Sequence, residues 1–498
     1  MKRTAGFLLN VSSFPGKYGI GCFSRDAENF LDEFAGMGFK LWQTLPITAL
    51  GGGPSPYSGI SSYAGNYLYI DLERLDDLLT KEELKEAEYK GGIYLTDYAY
   101  AREIKTKLLK LAFSRITDEI KKEINAFRKE NKFWIDDYVA FMTMKEINAT
   151  PWTDWGKYAK HTKKGVKEII DNNLEISEYY FFEQYYFYKQ WDALKKYAND
   201  LGIEVFGDLP IYVCFDSVEV WTNPSEFVLD KDYKPTEVAG VPPDYFSEDG
   251  QLWNNPLYDY EKMEKNDFKW WTDRIIRSLK LYDVLRIDHF RGLYEYWAVP
   301  AGEKTARNGK WCKGPAMKLF EALYRRIDKE EVKIIAEDLG ILDPGVDAFL
   351  EESGFPGMKV IQFAFDGDKK NRHLPHNYIK NCVAYTATHD NDTTLGWLFT
   401  CDYGLLKEAF DYINCDISYG WADGAGQCRA TRAFIRCLMS SCADVVIIPM
   451  QDLCGYGSDT RMNMPGLTEG CWEYRATYSA LNCIDHAFIR HLIETYGR

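Results

Sequence analysis

In the stretch DVLRIDHFRG, residues 283–292, a short apolar run of Val284, Leu285 and Ile287 carries Arg286 and ends in Asp288, His289 and Arg291. On a strand, side chains two apart point the same way, so Arg286 and Asp288 share a face and Ile287 turns to the other. Such a pair is either a structural ion pair or chemistry at the C-terminal mouth of a parallel barrel. Two further acids occupy the same kind of place. Glu337 in IIAEDLG and Asp390 in ATHDNDT each follow an apolar run and precede a polar or glycine-containing turn. Taken singly, each acid reads more readily as a helix N-cap or a solvated loop residue than as a catalytic group. Three of them in barrel positions, with Arg286, His289 and His389 nearby, fit retaining glycosidase chemistry. In that chemistry one ionised carboxylate attacks the anomeric carbon, and a second carboxyl group about 5 Å away acts first as acid and then as base. The like-charge field is expected to raise one pKa while Arg286 keeps the other acid ionised.

Other chemistries find no support. The glycine-rich stretch GGGPSPYSGISSYAGN (residues 51–66), which carries Tyr57 and Tyr63, has neither GxGxxG nor Walker spacing. There is no GxSxG elbow and no HExxH. His373 and His376 stand three apart in NRHLPHNY, but a proline separates them and no nearby cysteine completes a metal site.

A net charge of −15 and a pI near 5.1 argue against nucleic acid or an anionic membrane as partner. A neutral ligand suits this balance better. Aromatic residues make up 15% of the chain, as a sugar-binding groove or an aromatic-rich core requires. The twelve cysteines include no CxxC pair, and ten of them follow residue 300. That is neither a metal-ligand pattern nor a secreted disulfide framework, and it points to reduced thiols in the cytoplasm. No signal peptide or membrane span is expected.

The elements that must position the three acids follow from the apolar runs. A short strand in GFLLNV leads into a Gly/Pro turn, and a helical pattern covers 27–37. Eight strand candidates are KLWQTLPI, YLYIDL, IEVFGDLPIYV, YDVLRIDHF, VKIIAEDL, MKVIQFAF, NCVAYTATHD and ADVVIIPM. Helical stretches at 268–281, 315–328, 343–353 and 430–440 separate most of the later ones. The expected fold is α/β, a (β/α)8 TIM barrel formed by a single unit over 1–498. Residues 73–200 read as a mostly helical insertion. Residues 214–262 read as a loop insertion after the third strand that covers the active site, with VPPDYFSEDGQLWNNPLYDY as its long aromatic part.

The stretches LLNVSSFPGKYGIG, LWQTLPI, SPYSGISSYAGN, FGDLPIYV, VPPDYFSEDGQLWNNPLYDY, LRIDHFRG, IIAEDLG, YTATHDNDT and RMNMPGLTEGCWEYR occur in this order and spacing. In them the chain, from Gly6 onward, resembles the 4-α-glucanotransferases (amylomaltases) of glycoside hydrolase family 77, within the α-amylase clan. The resemblance implies that Asp288 is the nucleophile, Glu337 the general acid/base and Asp390 the transition-state stabiliser. It further implies that Arg286 and His389 bracket the −1 subsite with Asp208 beneath it, and that Tyr57 stacks on the −1 sugar. Tyr245, Phe246, Gln251 and Trp253 belong to the loop that the family uses over acceptor and donor subsites. It implies no metal or organic cofactor, no C-terminal β-sandwich domain, and α-1,4-glucans and malto-oligosaccharides as donor and acceptor. The expected reaction is disproportionation. A hydrolase with the same site is the alternative, and a non-catalytic glucan-binding protein is a distant one. Asn10 stands where the family usually has His, and Cys471 and Tyr474 where Asn and Trp are common, which leaves the fine substrate contacts open.

Overall fold

Twelve strands run through the computed structural model, which describes residues 2–243, 247–340, 344–418, 420–467 and 469–498. In chain order they are β1 (Thr4–Leu8), β2 (Leu41–Gln43), β3 (Glu204–Leu209), β4 (Glu237–Val241), β5 (Gln251–Pro256), β6 (Val284–Ile287), β7 (Glu295–Pro300), β8 (Lys310–Lys313), β9 (Ile334–Ala336), β10 (Gly357–Val360), β11 (Cys382–Tyr385) and β12 (Val445–Pro449). Eight of them, β1, β2, β3, β6, β9, β10, β11 and β12, pair in parallel and close into a barrel. Their runs are apolar on both faces because one face fills the lumen and the other packs under helices. Leu8, Leu41, Phe206, Val284, Ile335, Met358, Val360, Val383, Tyr385, Val445 and Ile447 form the luminal cluster. Leu285 and Ile287 belong instead to the outer core. Arg286 therefore follows Val284 into the lumen one layer higher, and Asp208 follows Phe206 in the same way.

One strand expectation is overturned. YLYIDL is not a barrel strand but two 3-10 turns, Tyr67–Tyr69 and Leu72–Arg74. Tyr and Ile score as strand residues, yet the side chain of Asn66 accepts from Leu68 N and that of Asp71 from Glu73 N. Gln190 takes the Asp71 N–H at 2.7 Å. These caps satisfy backbone groups that a ladder would otherwise need. The eighth place in the barrel belongs to β1, between β12 and β2.

Between β2 and β3 lie the helices Tyr98–Phe113, Asp118–Glu130, Ile135–Asn148, Lys163–Asn172 and Leu174–Asp200. The last of these buries a run of aromatics and carries Glu183, which is 3% exposed. Burial pushes the Glu183 carboxyl up to about 8, against hydrogen bonds from Gln184 and Tyr138. The folded protein thus keeps a proton that the unfolded chain sheds above about pH 4.3, and stability declines as pH rises from there toward 8. Glu183→Gln is expected to remove that decline, leaving Tm near wild type at pH 5 and raising it by roughly 2 °C or more at pH 9. Equal pH dependence of the two melting curves would contradict this.

The segments after β3 and β6 meet in a second sheet. It is antiparallel, in the order β5-β4-β7-β8. Six residues of the aromatic stretch read as loop, Gln251–Pro256, are thus strand β5. After β12 the described residues contain helices and turns but no strand. Among the described residues no helix is long and apolar enough to cross a membrane.

Candidate active site

The site grows from the adjacent ends of β3 and β6, where Asp208 and Arg286 sit side by side in register. Arg286 Nη1 donates to Asp208 Oδ2 at 2.5 Å, and Nη2 pairs with Asp288 Oδ1 at 2.8 Å. The Asp208 side chain is fully enclosed, whereas that of Asp288 is 27% exposed. One guanidinium thus ties a buried anion to one that faces the cleft. Burial works against the charge on Arg286, but Asp208 and Asp288 hold it protonated. Burial likewise pushes the Asp208 carboxyl up, with Arg286 pulling against it. A buried pair like this contributes little net stability, since desolvation offsets the attraction. What it provides is a fixed position for the Asp288 carboxylate.

Asp288 lies just past β6, its N–H still bonded to Leu209 O at 3.0 Å. His289 then adopts a left-handed conformation with φ 48, which costs a non-glycine residue ~1 kcal/mol. This turn aims the His289 N–H at Glu337 Oε2, 2.8 Å away. Leu339 N–H reaches Oε1 at 2.7 Å. Glu337 follows β9, and its backbone is pinned to the β6 end by Glu337 N to Ile287 O and Phe290 N to Glu337 O, both 3.1 Å. Burial pushes the Glu337 carboxyl up to about 8; Arg286 opposes the shift and Asp288 adds to it. Asp288 and Glu337 thus feel one another and share one arginine, yet at neutral pH Glu337 holds its proton. Burial also lowers His289 to about 4, so its ring is neutral.

The third acid comes from β11. His389 Nε2 lies 2.9 Å from Tyr57 OH and 3.2 Å from Asp390 Oδ2. Tyr57 OH donates its one proton to Asp208 Oδ2 at 2.6 Å, so Nε2 of His389 carries the proton between them. The Tyr57 and His389 rings stack at 5.3 Å and 18°. Asp390 is held well below the usual carboxylate range. Burial would raise it, but His389, the Asn463 amide and Arg286 outweigh burial. Asn463 Nδ2 donates to Asp390 Oδ1 at 2.6 Å, and Arg461 Nη2 to the Asp390 carbonyl at 2.7 Å. From the end of β12, Asp452 accepts from Thr394 N–H and the Thr386 and Thr394 hydroxyls, fixing this turn from behind.

The structure therefore brings Tyr57, Asp208, Arg286, Asp288, Glu337, His389 and Asp390 into one connected cluster at the C-terminal ends of β3, β6, β9 and β11. Trp253 on β5 sets its ring edge-on to His289 at 5.0 Å, and its indole N–H bonds Gln251 Oε1 at 3.2 Å. Tyr245 and Phe246 lie outside the described residues. The sequence reading named none of Asn463, Arg461 or Trp472. Trp472 is 7% exposed and its ring lies 5.7 Å from Tyr57 and 5.9 Å from His389. All three come from the stretch RMNMPGLTEGCWEYR, which carries the family resemblance but whose residue types assign none of them a role. Asn10, Cys471 and Tyr474 are all buried; Asn10 donates to Ser12 Oγ and accepts from the Thr44 hydroxyl. Among the described residues no cluster of three or more His, Cys, Asp or Glu side chains could hold a metal ion. His373 of the set-aside histidine pair accepts the Val360 N–H through Nδ1 at 3.1 Å.

A family model described as 4-alpha-glucanotransferase, glycoside hydrolase family 77, matches residues 9–480. The chain belongs to that family. It is 43% identical to a 4-alpha-glucanotransferase of Clostridium butyricum, over 98% of this chain and all of the relative. The 4-alpha-glucanotransferase of Aquifex aeolicus is 41% identical, over all of this chain and 99% of that one. Among solved structures, an amylomaltase from Streptococcus agalactiae in complex with acarbose superposes with a TM-score of 0.94 at 36% identity, with full coverage of both chains. An amylomaltase from Corynebacterium glutamicum, at 16% identity and TM-score 0.80 over 98% of this chain and 75% of that one, shares the fold. The family match thus runs from just after β1 through β12, and the Streptococcus agalactiae amylomaltase covers the whole barrel.

Proposed function

We propose that the chain transfers α-1,4-glucan segments from one glucan to the 4-hydroxyl of another glucan or of glucose, by a retaining double displacement through Asp288. One observation carries this reading. Two carboxyl groups share the field of Arg286, one ion-paired and open to the cleft, the other pushed up to about 8. Asp288 attacks the anomeric carbon as Glu337 gives its proton to the departing 4-oxygen, leaving a β-linked glycosyl ester. The ester carries no charge, so the push of Asp288 on Glu337 disappears, its pKa falls and Glu337 stays ionised, the form that can act as base. It then removes the proton from an incoming 4-hydroxyl, whose oxygen displaces Asp288 and restores the α-linkage. Asp390, held ionised, accepts hydroxyls of the −1 sugar, with Tyr57 and His389 against its ring and Asp208 beneath. Gln251 and Trp253 line acceptor and donor subsites within a 214–262 cover. Residues 73–200 form a helical subdomain on the single barrel of 1–498. No cofactor enters this scheme. The twelve cysteines, all free thiols, suit work in the cytoplasm on malto-oligosaccharides.

Incubation with maltotriose tests the reading. Glucose together with maltotetraose and longer oligomers is expected, at a nearly constant number of reducing ends. Glucose and maltose with rising reducing ends would mean hydrolysis and would overturn the transfer reading.

A further inference from the structure

Immediately after Glu337 the chain buries another acid, Asp338, whose side chain is 1% exposed. The β9–β10 seam ends where Gly357 pairs with Ala336. Beyond it the Asp338 side chain takes the place of the ladder, with Oδ1 accepting the Met358 N–H at 2.5 Å. Oδ2 accepts from Lys359 Nζ at 3.1 Å and from Arg372 Nη2 at 3.2 Å. Lys359 is itself buried, with a 6% exposed side chain, and Arg372 extends the chain of charges to Asp347 on the surface. Gly357 makes room for this contact, since a Cβ there would stand 2.7 Å from Asp338 Oδ2. Three donors on one carboxylate, two of them charged, are far more than a turn residue needs. The peptide that this carboxylate fixes is the one whose N–H, on Leu339, reaches Glu337 Oε1.

We propose that Asp338 is a positioning residue for Glu337: anchored on Met358 N–H, Lys359 and Arg372, it holds the 338–339 peptide so that the Leu339 N–H fixes the Glu337 carboxyl group. The inference rests on the reading of Glu337 as acid/base. Displacing that carboxyl group slows proton delivery to the leaving oxygen without touching the sugar. The defect should therefore appear in kcat and, in the first half-reaction, vanish when the leaving group needs no proton.

The test compares Asp338→Ala, Asp338→Asn and Arg372→Gln with wild type and with Glu337→Gln. On maltotriose, Asp338→Ala is expected to lose ~100-fold in kcat with KM within about twofold, the size of a general-acid contribution. Asp338→Asn keeps an acceptor for Met358 N–H but loses both charged contacts, and Arg372→Gln loses one. Each is expected to fall between Asp338→Ala and wild type, and Arg372→Gln serves if Asp338→Ala does not fold. With α-maltosyl fluoride as donor, fluoride release in the first turnover is expected to recover to within a few-fold of wild type. Unchanged kcat with only a lower Tm, a rise confined to KM, or a loss that the fluoride donor does not relieve would each overturn the proposal. If Glu337→Gln itself keeps its turnover on maltotriose, the reading of Glu337 fails, and the proposal with it.

Discussion

Asp288→Asn is expected to lower turnover of maltotriose by ~10⁴-fold or more, because an amide cannot form the glycosyl ester on which both half-reactions depend. The loss should appear in kcat. Asn fills the same volume, so the cleft and its sugar contacts stay in place. Stability should be unchanged or higher. Arg286 keeps its buried partner Asp208 at 2.5 Å, and a carboxylate that repels Asp208 and Glu337 is gone. A gain in stability on removing a catalytic charge is the usual trade between activity and stability. Turnover and thermal melting of the same preparation decide the matter. Wild-type-like turnover would remove Asp288 from the mechanism. A collapse of Tm would mean that the Arg286–Asp288 pair is structural, the other meaning that an Arg–Asp pair at a strand end can carry.

How far the sequence reached depended on whether a residue's role is set by its own strand. Arg286 and Asp288 were legible because a two-residue period assigns their face, and Val284 in the lumen with Ile287 outside bears that out. Runs such as VVIIP in β12 read as barrel strands because both faces are buried. YLYIDL misled because aromatic and β-branched content signals a strand regardless of Asn66 and Asp71, whose side chains close turns instead. The sheet β5-β4-β7-β8 escaped notice because its strands come from two separate excursions, and pairing between them is invisible along the chain. The same holds within the site. Nothing local marks Asn463, which matters only because a loop after β12 returns to Asp390. Nor does the residue type of His289 reveal that its backbone, at φ 48, supplies a donor to Glu337. Residue types disclosed the acids and their neighbours in sequence; partners such as Asn463 and Asp208 come from elsewhere in the chain.

Glu337 is expected to give the pH profile its alkaline limb. Burial, with the charge of Asp288 behind it, pushes this carboxyl up to about 8 against the pull of Arg286. The protonated form is the one that serves the first half-reaction, so kcat/KM for maltotriose should be flat below that value. Above it, kcat/KM should fall about tenfold per pH unit, because this parameter reports the free enzyme. Glu337→Gln should lose ~10² to 10⁴-fold and with it the limb, since glutamine does not titrate. The second half-reaction supplies the contrast. Once Asp288 is esterified its charge no longer raises Glu337, and the ionised form is the one needed. With α-maltosyl fluoride, whose leaving group needs no acid, the alkaline limb should therefore disappear from kcat/KM. A limb near pH 8 that persists with the fluoride donor, or in Glu337→Gln, would assign it to another group and would separate proton donation from Glu337.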